Sequence, residues 1–125
     1  MTTSQKPHRR LILWQKSIAF CVYVYKLSEK FPSTEKYGIT SQLRRCAVSI
    51  SLNIAEGAGR NHQKEFMQFL GITNGSIAEA DTICELLLQL EFITQKENDT
   101  IMEKINELSA LNNGLLKKLK CLCTY

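Results

Sequence analysis

At 125 residues, with 44% hydrophobic and 22% charged side chains, the chain fits one domain over residues 1–125 with one core, and its composition argues against disorder. The net charge of +4 is unevenly laid: residues 1–60 carry ten Lys/Arg against three Asp/Glu, and residues 61–125 carry six against nine. Such a skew marks either a basic binding surface or ordinary surface charge.

No stretch approaches the ~20 apolar residues of a membrane helix. The basic start KPHRRLILWQKSIAFCVYVY is interrupted by Gln15 and Lys16, and no small-residue cleavage site follows. A signal peptide is therefore rejected and a cytoplasmic protein is expected.

Strict apolar/polar alternation is absent, so strands are not expected, and helical spacing occurs four times. The first segment, about residues 8–30, shows Leu11, Trp14, Ile18, Cys21 and Tyr25 along one stripe. Pro32 stops it, because the residue before a proline disfavours helix. The second, about residues 40–59, has Thr40 as a candidate N-cap and Leu43, Ala47, Ile50 and Ile54 as its apolar stripe. At ~100° per residue, Gln42, Arg45, Ser49, Asn53, Glu56 and Arg60 form a polar seam beside that stripe. Gly59 is the expected left-handed terminator.

The third segment, about residues 62–92, follows Asn61 as N-cap candidate, with Phe66, Leu70, Thr73, Ile77, Ala80, Cys84 and Leu87 in helical rhythm. Gly71 and Gly75 sit one turn apart inside it. Each costs about 1 kcal/mol against alanine, which predicts a close approach by a neighbouring backbone or else a weakened exposed turn. The fourth, about residues 95–122, opens on a capping box, Thr94 to Glu97, and continues as Ile101, Ile105, Leu108, Asn112, Leu115, Leu119 and Leu122. Asn112 interrupts the stripe, where one polar residue can fix register. The expected fold is all-α: an up-down-up-down four-helix bundle.

The stretch from Leu11 to Phe92 resembles the bacterial four-helix-bundle proteins named after 23S rRNA intervening sequences. The motifs are Trp14-Gln15-Lys16, Phe31-Pro32, Tyr37-Gly38, Gln42-Leu43-Arg44-Arg45, Ser49-Ile50, Asn53-Ile54-Ala55-Glu56-Gly57, Arg60, and Gly75-Ser76 with Glu79. Cys46 and Leu52 depart from the small or proline residues common there. The resemblance implies a homo-oligomeric ring, typically a pentamer with a central channel. It also implies relatedness to the accessory proteins of diversity-generating retroelements, which bind a reverse transcriptase and nucleic acid. It implies no enzymatic activity and no cofactor.

The residues themselves offer little chemistry. Glu56, Arg60 and His62 lack the companion carboxylates or histidine pair a nuclease needs, so no enzyme and no catalytic residue is expected. Cys21, Cys46, Cys84, Cys121 and Cys123 read as reduced apolar fillers; Cys121 and Cys123 would be half a metal site, but His8 and His62 lie far off in sequence. The polar seam, Gln42 to Arg60, is read as a subunit interface in preference to a solvated face. Antiparallel topology would gather Arg9, Arg10, Arg60, Lys64, Lys117, Lys118 and Lys120 at one end, a surface suited to a phosphate backbone without sequence preference. An assembly scaffold with no nucleic-acid role is the alternative.

Overall fold

The computed structural model of the chain describes residues 6–122, and within them the ordered elements are helical. A 3-10 turn at Pro7–Arg10 precedes α1 (Ile12–Ser28), α2 (Ile39–Ala58), α3 (Gln63–Gln89) and α4 (Gln95–Leu122). Each helix packs on its sequence neighbour, α1 also meets α4, and neither diagonal pair comes close, so the four helices sit at the corners of a square. Contacts fix the directions. Ser17 meets Ser51 while Ser28 meets Arg44, so α1 and α2 run antiparallel. Cys46 meets Ser76 while Gly57 faces Phe66 and Phe69, which sets α3 against α2. Lys16 pairs with Glu107 and Lys30 with Glu97, which sets α4 against α1.

The stripes expected for α2 and α4 are largely the buried ones: Leu43, Ala47, Ile50 and Ile54 on α2, and Ile101, Ile105, Leu108, Asn112 and Leu119 on α4. Leu122, expected to close the α4 stripe, is exposed. On α3, Leu70, Thr73, Ile77, Ala80, Cys84 and Leu87 are buried as expected. The α1 stripe is corrected. Leu13, Ser17, Phe20, Val24 and Ser28 face the core, while Ile18 and Tyr25 are 38% and 42% exposed. The pattern misleads because the serines go inside. Ser17 donates to the Trp14 carbonyl at 2.6 Å and accepts from Ser51 at 2.9 Å, so a residue counted as polar is fully satisfied in the interior.

The expected caps are corrected as well. Gly38 precedes α2, and Thr40 lies inside the helix, buried, its Oγ1 without a protein partner among the described residues. His62, not Asn61, precedes α3. Gly59 has φ −84°, an ordinary right-handed value; the left-handed residue is Glu91, φ 62°, at the end of α3. There the Phe92 N–H reaches the Leu87 carbonyl at 2.9 Å and the Glu91 N–H reaches that of Leu88 at 3.0 Å, which is the Schellman arrangement. Gly71 and Gly75 have nothing within 4 Å of where a Cβ would stand. The close approach is at Gly57, where a Cβ would lie 2.8 Å from Phe69 Cβ and 2.9 Å from Phe66 Cδ1.

The capping box forms as expected. The Glu97 N–H donates to Thr94 Oγ1 at 3.1 Å, and the Thr94 N–H donates to Glu97 Oε1 at 2.9 Å. Asn112, fully buried, donates to the Leu70 carbonyl and to Asn74 Oδ1, each at 2.9 Å, and so ties α4 to α3 at one register.

Candidate nucleic-acid interface

Antiparallel packing brings the start of α1, the end of α2, the start of α3 and the end of α4 to one end of the square. Arg9, Arg10, Arg60, Lys64, Lys117, Lys118 and Lys120 all lie there, and all are exposed. On α4, Leu119 is buried between Lys118 and Lys120, so the helix anchors the triplet while its ammonium groups stay in water.

The 3-10 turn holds its cations firmly. Trp14 is contacted edge-on by the His8 ring at 4.9 Å, with the Arg9 guanidinium 5.2 Å from the Trp14 ring centre. Gln15 Nε2 donates to the Arg9 carbonyl at 2.8 Å and fastens the turn to α1. Arg60 is bonded to Glu56 Oε2 at 2.7 Å and lies over the Phe69 ring at 4.9 Å. Arg60 therefore belongs to both predicted groups, as the last residue of the polar seam and a member of the basic end. His62 is exposed beside it, and the Glu56 carboxylate is engaged by Arg60.

The seam opens on a groove between α2 and α3. Gln42, Arg45, Cys46 and Ser49 face Gly75, Glu79, Thr82 and Leu86 across a space of about 640 Å³. A second depression of about 450 Å³ continues past Leu52, Asn53 and Glu56 to Phe69. Part of the seam is satisfied within the chain. Asn53 Nδ2 donates to the Ser49 carbonyl at 2.8 Å and to its Oγ at 3.0 Å, and Ser49 shares a hydrogen bond with Ser76 Oγ at 3.0 Å. Gln42 and Arg45 are exposed.

The sequence reasoning missed the apolar flank of this groove. Leu52 and Leu86 are 63% and 50% exposed. Their signal was present, since each falls off the buried stripe of its helix. It also missed Lys6 and His8, whose place at the basic end depends on the 3-10 turn.

Cys46 and Cys84 are buried as apolar fillers, Cys21 is half-buried, and Cys121, expected to be a filler, is exposed. Burial pushes Cys46 and Cys84 up to about 12, with nearby Glu79 and Asp81 respectively adding to the effect. Cys46 donates its S–H to the Ser76 carbonyl. Cys123 lies outside the described residues. Among the described residues, no three His, Cys, Asp or Glu side chains converge where they could hold a metal ion. No helix among them is long and apolar enough to cross a membrane.

These features define the class: an all-α four-helix bundle with one cationic end and a half-polar groove along α2 and α3. The family model of the 23S rRNA-intervening sequence proteins matches residues 9–114, and the chain belongs to that family. A crystal structure of a protein of unknown function from the S23 ribosomal protein family of Bacteroides thetaiotaomicron VPI-5482 is similar to it. The two share 25% identity and superpose with a TM-score of 0.79 over 85% of this chain and 96% of that one. The search of curated proteins gave no match.

Proposed function

We propose that the protein is a non-enzymatic, homo-oligomeric nucleic-acid-binding protein, with the cationic end as its phosphate-binding surface. One observation carries the reading: exposed cations from four separate chain segments converge on one end. The acids among them are few, chiefly Glu56, already bonded to Arg60, and Glu65. The sequence carries no base-reading motif at this end, so the binding proposed is electrostatic and indifferent to sequence. The family likeness supports assembly into a ring, expected to be pentameric, through the α2/α3 groove. A ring would set several basic ends side by side. A nucleic-acid enzyme, such as a reverse transcriptase, is the protein partner that fits this reading.

The test is equilibrium binding to labelled DNA or RNA across a salt series. Affinity is expected to fall steeply, with a log–log slope of roughly −0.9 per phosphate contact on duplex DNA. Reversing Lys117, Lys118 and Lys120 to Glu is expected to abolish binding while light scattering still gives a multiple of 14.3 kDa. Lys36→Glu with Lys96→Glu, at the opposite end, should bind as wild type does. Absence of wild-type binding at low salt refutes the reading.

The exposed Leu52 and Leu86 beside the groove favour a second reading, an assembly scaffold without nucleic acid. It predicts the oligomer and no salt-sensitive binding.

A further inference from the structure

Between the 3-10 turn and the last turns of α2 lies a cleft of about 630 Å³, which meets the second depression of the α2/α3 groove at Leu52 and Glu56. We propose that this cleft seats one unpaired nucleotide, its phosphate between Lys6 and Arg60 and its base against Leu52. The proposal rests on the nucleic-acid reading above and assigns it a specific pocket. The volume lies within the roughly 300–1,000 Å³ of small-ligand sites.

The floor is apolar because Leu52, Ala55 and Gly59 fall on one face of α2, at i, i+3 and i+7. Leu52 is 63% exposed, a large aliphatic surface with nothing on it among the described residues. Lys6, Pro7 and His8 form one wall, and Glu56 and Arg60 the other. His8 and Arg60, one on each wall, are set in advance. The 3-10 turn is fastened through Gln15 and Trp14, and the Arg60 guanidinium is held by Glu56 and the Phe69 ring. A ligand therefore need not order them.

The chemistry selects a nucleotide over a bare phosphate, since a phosphate alone would leave the apolar floor wet. It selects an unpaired nucleotide over duplex. A paired base is stacked on both faces and cannot lie on Leu52, whereas an unpaired one can be splayed out. Glu56 limits the cleft to a single phosphate. Its carboxylate, only partly used by Arg60, would repel a second anion and can accept from an exocyclic amine of the base.

The glycine in the floor supplies the test. A Cβ on Gly59 would lie 3.6 Å from the Ala55 carbonyl oxygen and 3.7 Å from that of Glu56, ordinary contacts, and φ −84° suits any L residue. Gly59→Leu thus fills the cleft with no change of charge. Leu52→Ser strips the floor and serves as a second variant independent of Gly59; because Leu52 also borders the α2/α3 groove, light scattering is run beside it and is expected to give the wild-type mass. Fluorescence anisotropy of the full chain at low salt would compare a labelled single-stranded oligonucleotide with its duplex. Each variant is expected to lose about tenfold in single-strand affinity, in line with the worth of one base contact, and less than twofold for duplex.

Competition with AMP separates the sources. Displacement supports a seat that also takes free nucleotide. Failure to displace, with both variants weakened, supports a seat for a nucleotide held in a strand. If wild type binds both forms and neither variant weakens the single strand, the cleft is not the seat and the basic end stands alone. If wild type binds neither form, the basic-end reading falls and the seat falls with it.

Discussion

The two ends of the bundle are held shut by different means. At the basic end α2 and α3 close by steric fit. Gly57 admits the Phe66 and Phe69 side chains to within distances no Cβ would allow. At the other end closure is polar. Thr94 and Glu97 cap α4, Lys30 pairs with Glu97 across from α1, and Arg44 donates to Ser28 Oγ at 2.8 Å and lies 4.6 Å from the Tyr25 ring. Lys30, Arg44 and Glu97 at that end are parts of the fold. At the basic end, Lys64, Lys117, Lys118 and Lys120 are exposed and take no part in the ion pairs described here. A partner can neutralise them without disturbing the helices.

Four substitutions would break or sharpen this contrast. The largest effect is expected from Gly57→Ala. Helix propensity favours alanine by about 1 kcal/mol, but the new Cβ must displace the Cβ of Phe69, a backbone-attached atom that cannot swing aside. A net loss of about 1–3 kcal/mol by denaturant unfolding is expected, as for overpacking. A stabilised variant would show that the basic end is not closed by fit.

Next comes Thr94→Ala at the other end, expected to cost about 1 kcal/mol through the lost cap. Nucleic-acid affinity should not change, because the site lies at the far end of α4.

The third depends on pH. The hydrogen bond from Lys30, then that from the Thr94 N–H, holds the Glu97 carboxyl below its ordinary 4.5. A carboxyl depressed in the folded state contributes stability above its unfolded pKa and loses it as pH falls through the folded one. The melting-temperature gap between wild type and Glu97→Gln should therefore be widest near neutrality and should shrink as pH drops below about 4.5. A gap that is constant with pH would show that Lys30 and Glu97 contribute no charge-dependent stability.

The smallest effect is a gain. Glu91 is a non-glycine residue at φ 62°, and Glu91→Gly relieves that strain, partly offset by the freer unfolded chain. About 0.5–1 kcal/mol of added stability is expected in thermal unfolding.

Much of the architecture was legible in the sequence. Four helical segments, the core faces of α2, α3 and α4, the Thr94–Glu97 box and the interior Asn112 all follow from spacing and local chemistry. What was not legible shares one cause: backbone and partner geometry decided it. Ser17 and Ser28 enter the core because each donates to a carbonyl three residues earlier, which a polar/apolar pattern cannot register. The left-handed residue expected at Gly59 is instead Glu91, because the backbone takes that conformation in the α3–α4 turn and not at the end of α2. Gly71 and Gly75 were open to a close approach or a weakened exposed turn; both are exposed, and the close approach is at Gly57, where the facing residues are phenylalanines. Of the candidate surfaces, the cation cluster followed from topology alone. The cleft beside the 3-10 turn needed the strap formed by Trp14 and Gln15, which no periodicity encodes.

The tight meeting of α2 and α3 has a kinetic consequence. Gly57 and Phe66 are neighbours in sequence as well as in space, and only residues 59–62 separate the two helices. Closing so short a loop costs little chain entropy, whereas bringing α1 to α4 spans most of the chain. The α2–α3 hairpin is therefore expected to be structured in the transition state for folding. Gly57→Ala should then slow refolding, while a change at the α1–α4 contact, such as Lys16→Ala, should mainly speed unfolding. Stopped-flow refolding and unfolding limbs would separate the two, and equal effects of both variants on the refolding limb would contradict this order. On that order, the groove and the Arg60 wall are shaped by the part of the chain that settles first, and the termini add their cations to a platform already in place.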